Sequence, residues 1–261
     1  MADEKKPVER NFIKAGEQDA PKKAAAKPRA PKKASKEQEF THVDHSESGK
    51  TRPERAKGFR IGAWVLWLLG IAFEALAILI LNKTMYVPPE KFTMFFYGAL
   101  AVDLLAVVIA SQLWKKANHI DPASEANKAK FVLHNNLGVI MSIIAFLPVL
   151  ILLLTNKDLD KKTKKIASIV AAAALVIASL ASVDYHPVSQ EQLAEAKEDV
   201  VQNAFDGSTV YWTQFGKSYH YDPNCHTIRN SKNVYYGTID EAFEAKRADP
   251  CDFCVKEEQE S

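Results

Sequence analysis

The chain has 261 residues, 47% of them hydrophobic and 25% charged, with a formal net charge of +2 and three cysteines. Those averages conceal a segregation. Residues 1–58 are polar and basic, 59–183 are dominated by long apolar runs, and the remainder is mixed, which excludes a chain of two ordinary soluble domains.

The first segment has no apolar periodicity, and its densest part, PKKAAAKPRAPKKASK from Pro21 to Lys36, carries seven positive charges and no acid. Too little can be buried there to offset chain entropy, so residues 1–58 are expected to be a disordered basic tail. Beyond a tether that helps to fix topology, such a tail suits contact with anionic lipid. Nucleic acid is the weaker expectation, because no aromatic residue interleaves the basic run for base stacking. No apolar core follows the first lysines, so no signal peptide is expected.

Four apolar runs follow: Ile61 to Leu81, about Phe92 to Trp114, about Leu137 to Thr155, and Ile166 to Val183. At 1.5 Å per residue the first reaches about 31 Å, close to the roughly 30 Å hydrocarbon core of a bilayer. The fold class expected is an α-helical integral membrane protein with a four-helix domain over 59–183. Arg52, Arg55, Lys57 and Arg60 before the first run, and Lys115, Lys116, Lys128 and Lys130 between the second and third, predict a multi-pass protein of the cell membrane with both termini cytoplasmic. The lysine-rich loop 156–165 argues the other way.

Glu74 and Asp103 fall inside the first two runs, where an acid costs roughly 2.5–3.5 kcal/mol, so each is expected to face other helices or water. One reading makes them groups on an ion or proton pathway. The plainer reading has them protonated or hydrogen-bonded to Ser111, Gln112, Ser142 or Ser168. Trp64, Trp67 and Trp114 read as interfacial anchors.

Residues 184–206 are expected to be an amphipathic helical linker, with Ser189 as cap and Leu193, Ala196, Val200, Val201 and Ala204 at helical spacing. Residues 207–256 then contain all three cysteines. VYWT and a second strand ending at Tyr219 and His220 flank Gly216, and Thr238 with Glu241 forms a capping box for a helix through about Arg247. Cys225 stands five residues after His220, and Cys251 and Cys254 form a C-x-x-C. Three thiolates and one imidazole complete a tetrahedral shell, so His220, Cys225, Cys251 and Cys254 are the expected ligands of structural zinc. His226 is an alternative nitrogen donor, and a disulfide with one free thiol is the alternative pairing chemistry.

The aromatic-threonine strand, glycine turn, Tyr219-His220, Cys225, helix and Pro250-Cys251-x-x-Cys254 resemble the Ada-type metal-binding fold and similar short zinc-binding modules. The resemblance implies a small α+β zinc-binding domain. In the DNA-repair member of that family, the position matched by His220 is a cysteine that accepts a methyl group from DNA phosphate. Imidazole lacks that nucleophile, so metal binding carries over and methyl transfer does not.

No other nucleophile arrangement or phosphate loop occurs. The function expected is therefore non-enzymatic: a membrane protein whose cytoplasmic module recognises a protein partner or stabilises an assembly. A membrane-tethered nucleic-acid binder, a transporter or channel with a metal-sensing module, and a redox switch at Cys251 and Cys254 are the alternatives.

Overall fold

A computed structural model describes residues 10–15, 51–157 and 159–256. The described residues divide into two compact units, one within Arg52–Ala194 and a second formed by residues 10–15 with residues 195–256.

The first unit contains four helices, α1 (Arg52–Leu81), α2 (Pro89–Ile120), α3 (Lys128–Thr155) and α4 (Lys161–Ser182), all long and apolar enough to cross a membrane. Helix α2 runs antiparallel to α1, as shown by Gly62 of α1 beside Leu113 of α2 and Gly70 beside Asp103 and Val107. Besides Ala56 and Ile80, the buried positions of α1, Ala63, Trp67, Gly70, Glu74, Ala77 and Leu81, alternate in steps of four and three, the spacing of a helix–helix seam. Helix α4 buries Ala167, Ala171, Ala174 and Ala178 along one stripe, where small side chains let backbones approach closely.

The bundle is apolar on its outside. Leu68, Leu105, Leu133, Leu154, Ile169 and Leu180 are exposed, whereas Glu74, Asp103, Ser111, Ser142 and Ser182 are buried. That distribution suits hydrocarbon as the surrounding solvent. Ser182 Oγ lies 2.8 Å from Ser111 Oγ and 3.0 Å from Ser142 Oγ, joining α2, α3 and α4. At one end of the bundle Arg60 pairs with Asp121 at 2.8 Å, and His119 lies 3.2 Å from Asp184.

The tryptophans differ from the expectation. Trp67 is fully buried, and its ring centroid lies 5.4 Å from that of Trp64 and 5.5 Å from that of Trp114. They form a cluster inside the bundle end, with only Trp64 facing outward.

Helix α5 (Gln190–Asn203) is capped as the sequence predicts: Ser189 Oγ accepts from Gln192 N at 3.1 Å while Gln192 Oε1 accepts from Ser189 N at 3.2 Å. It buries Leu193, Ala196 and Val200, but Val201 is 59% exposed and falls off the apolar face.

The second unit adds β1 (Asn11–Lys14), β2 (Val210–Trp212), β3 (Ser218–Tyr219), β4 (Asn233–Gly237), α6 (Ile239–Glu244), β5 (Asp249–Pro250) and α7 (Asp252–Lys256). One sheet has the order β1-β4-β2, with β1 parallel and β2 antiparallel to β4, and β3 pairs in parallel with β5. Trp212, Tyr219, Val234, Ile239, Ala242 and Phe243 form its core. Thr238 and Glu241 make the predicted capping box, worth about 1 kcal/mol.

Two corrections concern the expected tail over 1–58. Residues 11–14 are a strand of the sheet rather than disordered, because β4 offers them an open edge, and α1 already begins at Arg52. Residues 1–9 and 16–50, with the basic run 21–36, lie outside the described residues.

Helix contact in the bundle is tested at Gly138, where an added Cβ would stand 3.1 Å from Ser111 Cβ and 3.3 Å from Ser182 Cβ. Gly138→Ala is expected to cost about 1–3 kcal/mol in thermal unfolding in detergent. Gly98→Ala, with nothing within 4 Å, is expected to be neutral or stabilising.

Candidate metal centre

Backbone hydrogen bonds build the site. Tyr211 N donates to His220 O at 2.8 Å and His220 N to Tyr211 O at 2.7 Å, closing an antiparallel bridge that fixes His220 just past β3. The chain then turns at Asp222, whose Oδ1 accepts from Asn224 N at 2.7 Å and whose carbonyl accepts from Cys225 N at 3.2 Å. This turn converts a five-residue gap into proximity.

The C-x-x-C arrives from the other side. Strand β5 pairs with β3, and Cys251 N donates to Tyr219 O at 2.9 Å, which sets Cys251 beside His220. Cys254 N donates to Cys251 O at 3.0 Å in the first turn of α7, so both sulfurs face one centre.

His220, Cys225, Cys251 and Cys254 are all buried, and their ligand atoms lie within 4.8 Å of one another. Cys225 Sγ is 4.0 Å from Cys251 Sγ, and Cys254 Sγ is 3.7 Å from His220 Nδ1. A tetrahedral shell with metal–sulfur bonds of about 2.3 Å has sulfur–sulfur edges of about 3.8 Å. The four donors fit a metal. They do not form a disulfide, which needs sulfurs about 2.05 Å apart, and all three cysteines are free.

The electrostatics favour the same chemistry. Burial, with His226 nearby, pushes the His220 imidazole down to about 4, so at neutral pH it is uncharged and its lone pair is free to bind metal. Burial pushes the Cys254 thiol up to about 12. Burial also opposes ionisation of Cys251, but hydrogen bonds from the backbone N–H of Cys254 and Phe253 outweigh it and hold that thiol below its ordinary value. A bound dication would stabilise all three thiolates against their desolvation.

His226, the alternative donor, is exposed and lies edge-on to Phe253 at 4.4 Å, outside the cluster. Thr227 is the residue that spacing did not reveal. Its Oγ1 lies 3.2 Å from Cys225 Sγ, 3.5 Å from His220 Nδ1 and 3.9 Å from Cys251 Sγ. A hydroxyl there is placed to donate to a thiolate sulfur once the cysteine is deprotonated, which would orient it. Its position two residues after a ligand was the only available signal.

Glu74 and Asp103 are buried in the bundle, and Glu74 Oε1 and both Asp103 carboxylate oxygens have no hydrogen-bond partner among the described residues. The expected partners serve other groups. Ser111 and Ser142 donate to the carbonyls of Val107 and Gly138, Gln112 donates to Ala181 O, and Ser168 Oγ has no hydrogen-bond partner among the described residues.

Thr227→Val preserves shape and removes the hydroxyl. It is expected to lower divalent-metal affinity by about 10- to 100-fold, measured by competition with a chromogenic chelator, while the module stays folded.

No family model matches this chain, and neither does a curated protein or a solved structure, so the Ada-type resemblance rests on the residue pattern alone.

Proposed function

We propose that the protein is a multi-pass membrane protein of the cell membrane whose cytoplasmic C-terminal module is built on structural zinc and serves, without catalysis, to recognise a protein partner or hold an assembly at the membrane. The observation that carries this reading is the buried shell of one imidazole and three thiols. Four protein donors leave no open position for an activated water, which fits a structural ion and not a catalytic one. Sulfur-rich donors select zinc over calcium or magnesium, and a reducing cytosol keeps the thiols available.

Strand pairing supports the topology. Residues 11–14 precede the first span and residues 233–237 follow the fourth, yet β1 and β4 share a sheet. On this reading both lie on one side of the bilayer, which an even number of spans permits and an odd number forbids. Four candidate helices satisfy that parity. The positive charges of Arg52, Arg55, Lys57 and Arg60 favour the cytoplasmic side.

The full chain purified in detergent under reducing conditions is expected to carry one zinc ion. His220→Ala and Cys254→Ser are each expected to lose it together with amide protection in β4 and α6. Zinc is also expected to dissociate as pH falls, because protons compete for the three thiolates. Zinc retained at full occupancy in His220→Ala would break the ligand assignment.

A second reading rests on the unpartnered carboxylate oxygens of Glu74 and Asp103, since an intramembrane acid marks ion and proton pathways. Glu74→Gln and Asp103→Asn should then abolish a cation or proton flux across proteoliposomes, and equal flux in parent and variants removes that reading.

A further inference from the structure

The segment Arg10–Ala15 meets the C-terminal module with more than a strand's worth of contact. Asn11 N donates to Lys232 O at 2.7 Å and Ala15 N donates to Tyr236 O at 2.8 Å, so the backbone is bonded at both ends of a four-residue register. Phe12 sets its ring edge-on to Tyr211 of β2, with centroids 6.5 Å apart. The Arg10 guanidinium lies 5.5 Å from the Phe12 centroid and donates two hydrogen bonds, to Pro223 O and to Asn224 Oδ1, each at 2.8 Å. Pro223 and Asn224 immediately precede the ligand Cys225, in the turn that carries it back toward His220. Ala15 Cβ closes the other end against Gly237, where an added Cβ would stand 3.0 Å away.

We propose that the free edge of β4 is a peptide-binding edge whose resident ligand is the chain's own Arg10–Ala15 segment, and that this docked segment braces the turn presenting Cys225, so that metal retention depends on the N-terminus. The mode is strand addition: backbone bonds to the sheet edge supply affinity, and the Arg10 and Phe12 contacts fix register. A guanidinium holding two acceptors in one turn limits how far that turn can open. Opening of the turn separates Cys225 from the other three donors and is the step by which a closed site releases its ion. The metal part of this inference rests on the zinc reading above, whereas the docking and bracing stand on backbone protection alone.

The test uses the full chain in detergent, comparing the parent, an Arg10→Ala/Phe12→Ala double variant and a Lys14→Ala control whose exposed side chain makes none of these contacts. Hydrogen exchange is followed at Asn11, Ala15, Cys225 and Arg229, with and without added zinc, and ion release is followed with a chelating dye. Protection of Asn11 and Ala15 is expected in the parent and in Lys14→Ala. The double variant is expected to lose that protection, to exchange faster at Cys225 and Arg229, and to release zinc about tenfold faster, the scale of losing charge-assisted hydrogen bonds. If the parent binds no zinc, the zinc reading fails while faster exchange at Cys225 and Arg229 in the metal-free double variant still supports bracing. Unprotected Asn11 and Ala15 in the parent would overturn the proposal. So would a double variant that frees the strand yet leaves both exchange at Cys225 and zinc release unchanged. Protection that rises with protein concentration would show that a second copy supplies the strand, and would equally overturn it.

Discussion

The geometry of the C-terminal module depends on a few backbone hydrogen bonds that decide where four donor atoms meet. The pair between Tyr211 and His220 fixes the imidazole, the bond from Cys251 N to Tyr219 O brings the C-x-x-C beside it, and the turn at Asp222 returns Cys225. These bonds belong to strands two or three residues long, and such strands are marginal by themselves. A metal bound there would make sheet and site interdependent. The strands align the donors, and an ion bound by those donors would hold the strands in register and relieve the desolvation of three thiols.

The same dependence explains why a distant stretch of chain joins this sheet. A three-stranded sheet with β4 at its centre leaves no edge of β4 open, whereas β2 and β4 alone would leave one. The segment that covers it is short, but it begins with an arginine that reaches the turn before Cys225. Strand addition thus links the edge of the sheet to the turn that presents Cys225.

The helical unit follows a different physics. Its surface is apolar and its interior carries serines, asparagines and two acids, the reverse of a soluble bundle. Glycine and alanine permit the close approach, with Gly138 between Ser111 and Ser182 and the alanine stripe on α4. Interhelical hydrogen bonds then join α2, α3 and α4 through three serine hydroxyls.

The residue sequence by itself determined what depends on local composition and spacing. Four runs of sufficient length and apolarity specify four helices and Thr238 and Glu241 specify a cap, each a signal complete within its own stretch, while a C-x-x-C with His220 and Cys225 picks out four residues that the fold brings together. Tertiary structure alone decided what depends on a distant partner. The strand NFIK sits in a basic tail without alternation, and only pairing with β4, more than two hundred residues away, makes it a strand. Val201 falls on the exposed face of α5, and Trp67 turns inward to pack edge-to-face with Trp64 and tilted against Trp114, because which side of a helix is covered is set by its neighbours. Thr227 acquires its place beside Cys225 and Cys251 in the same way. Ligand spacing can be read along a chain, but the hydroxyl that orients a thiolate is defined only once the turn brings it within hydrogen-bond distance.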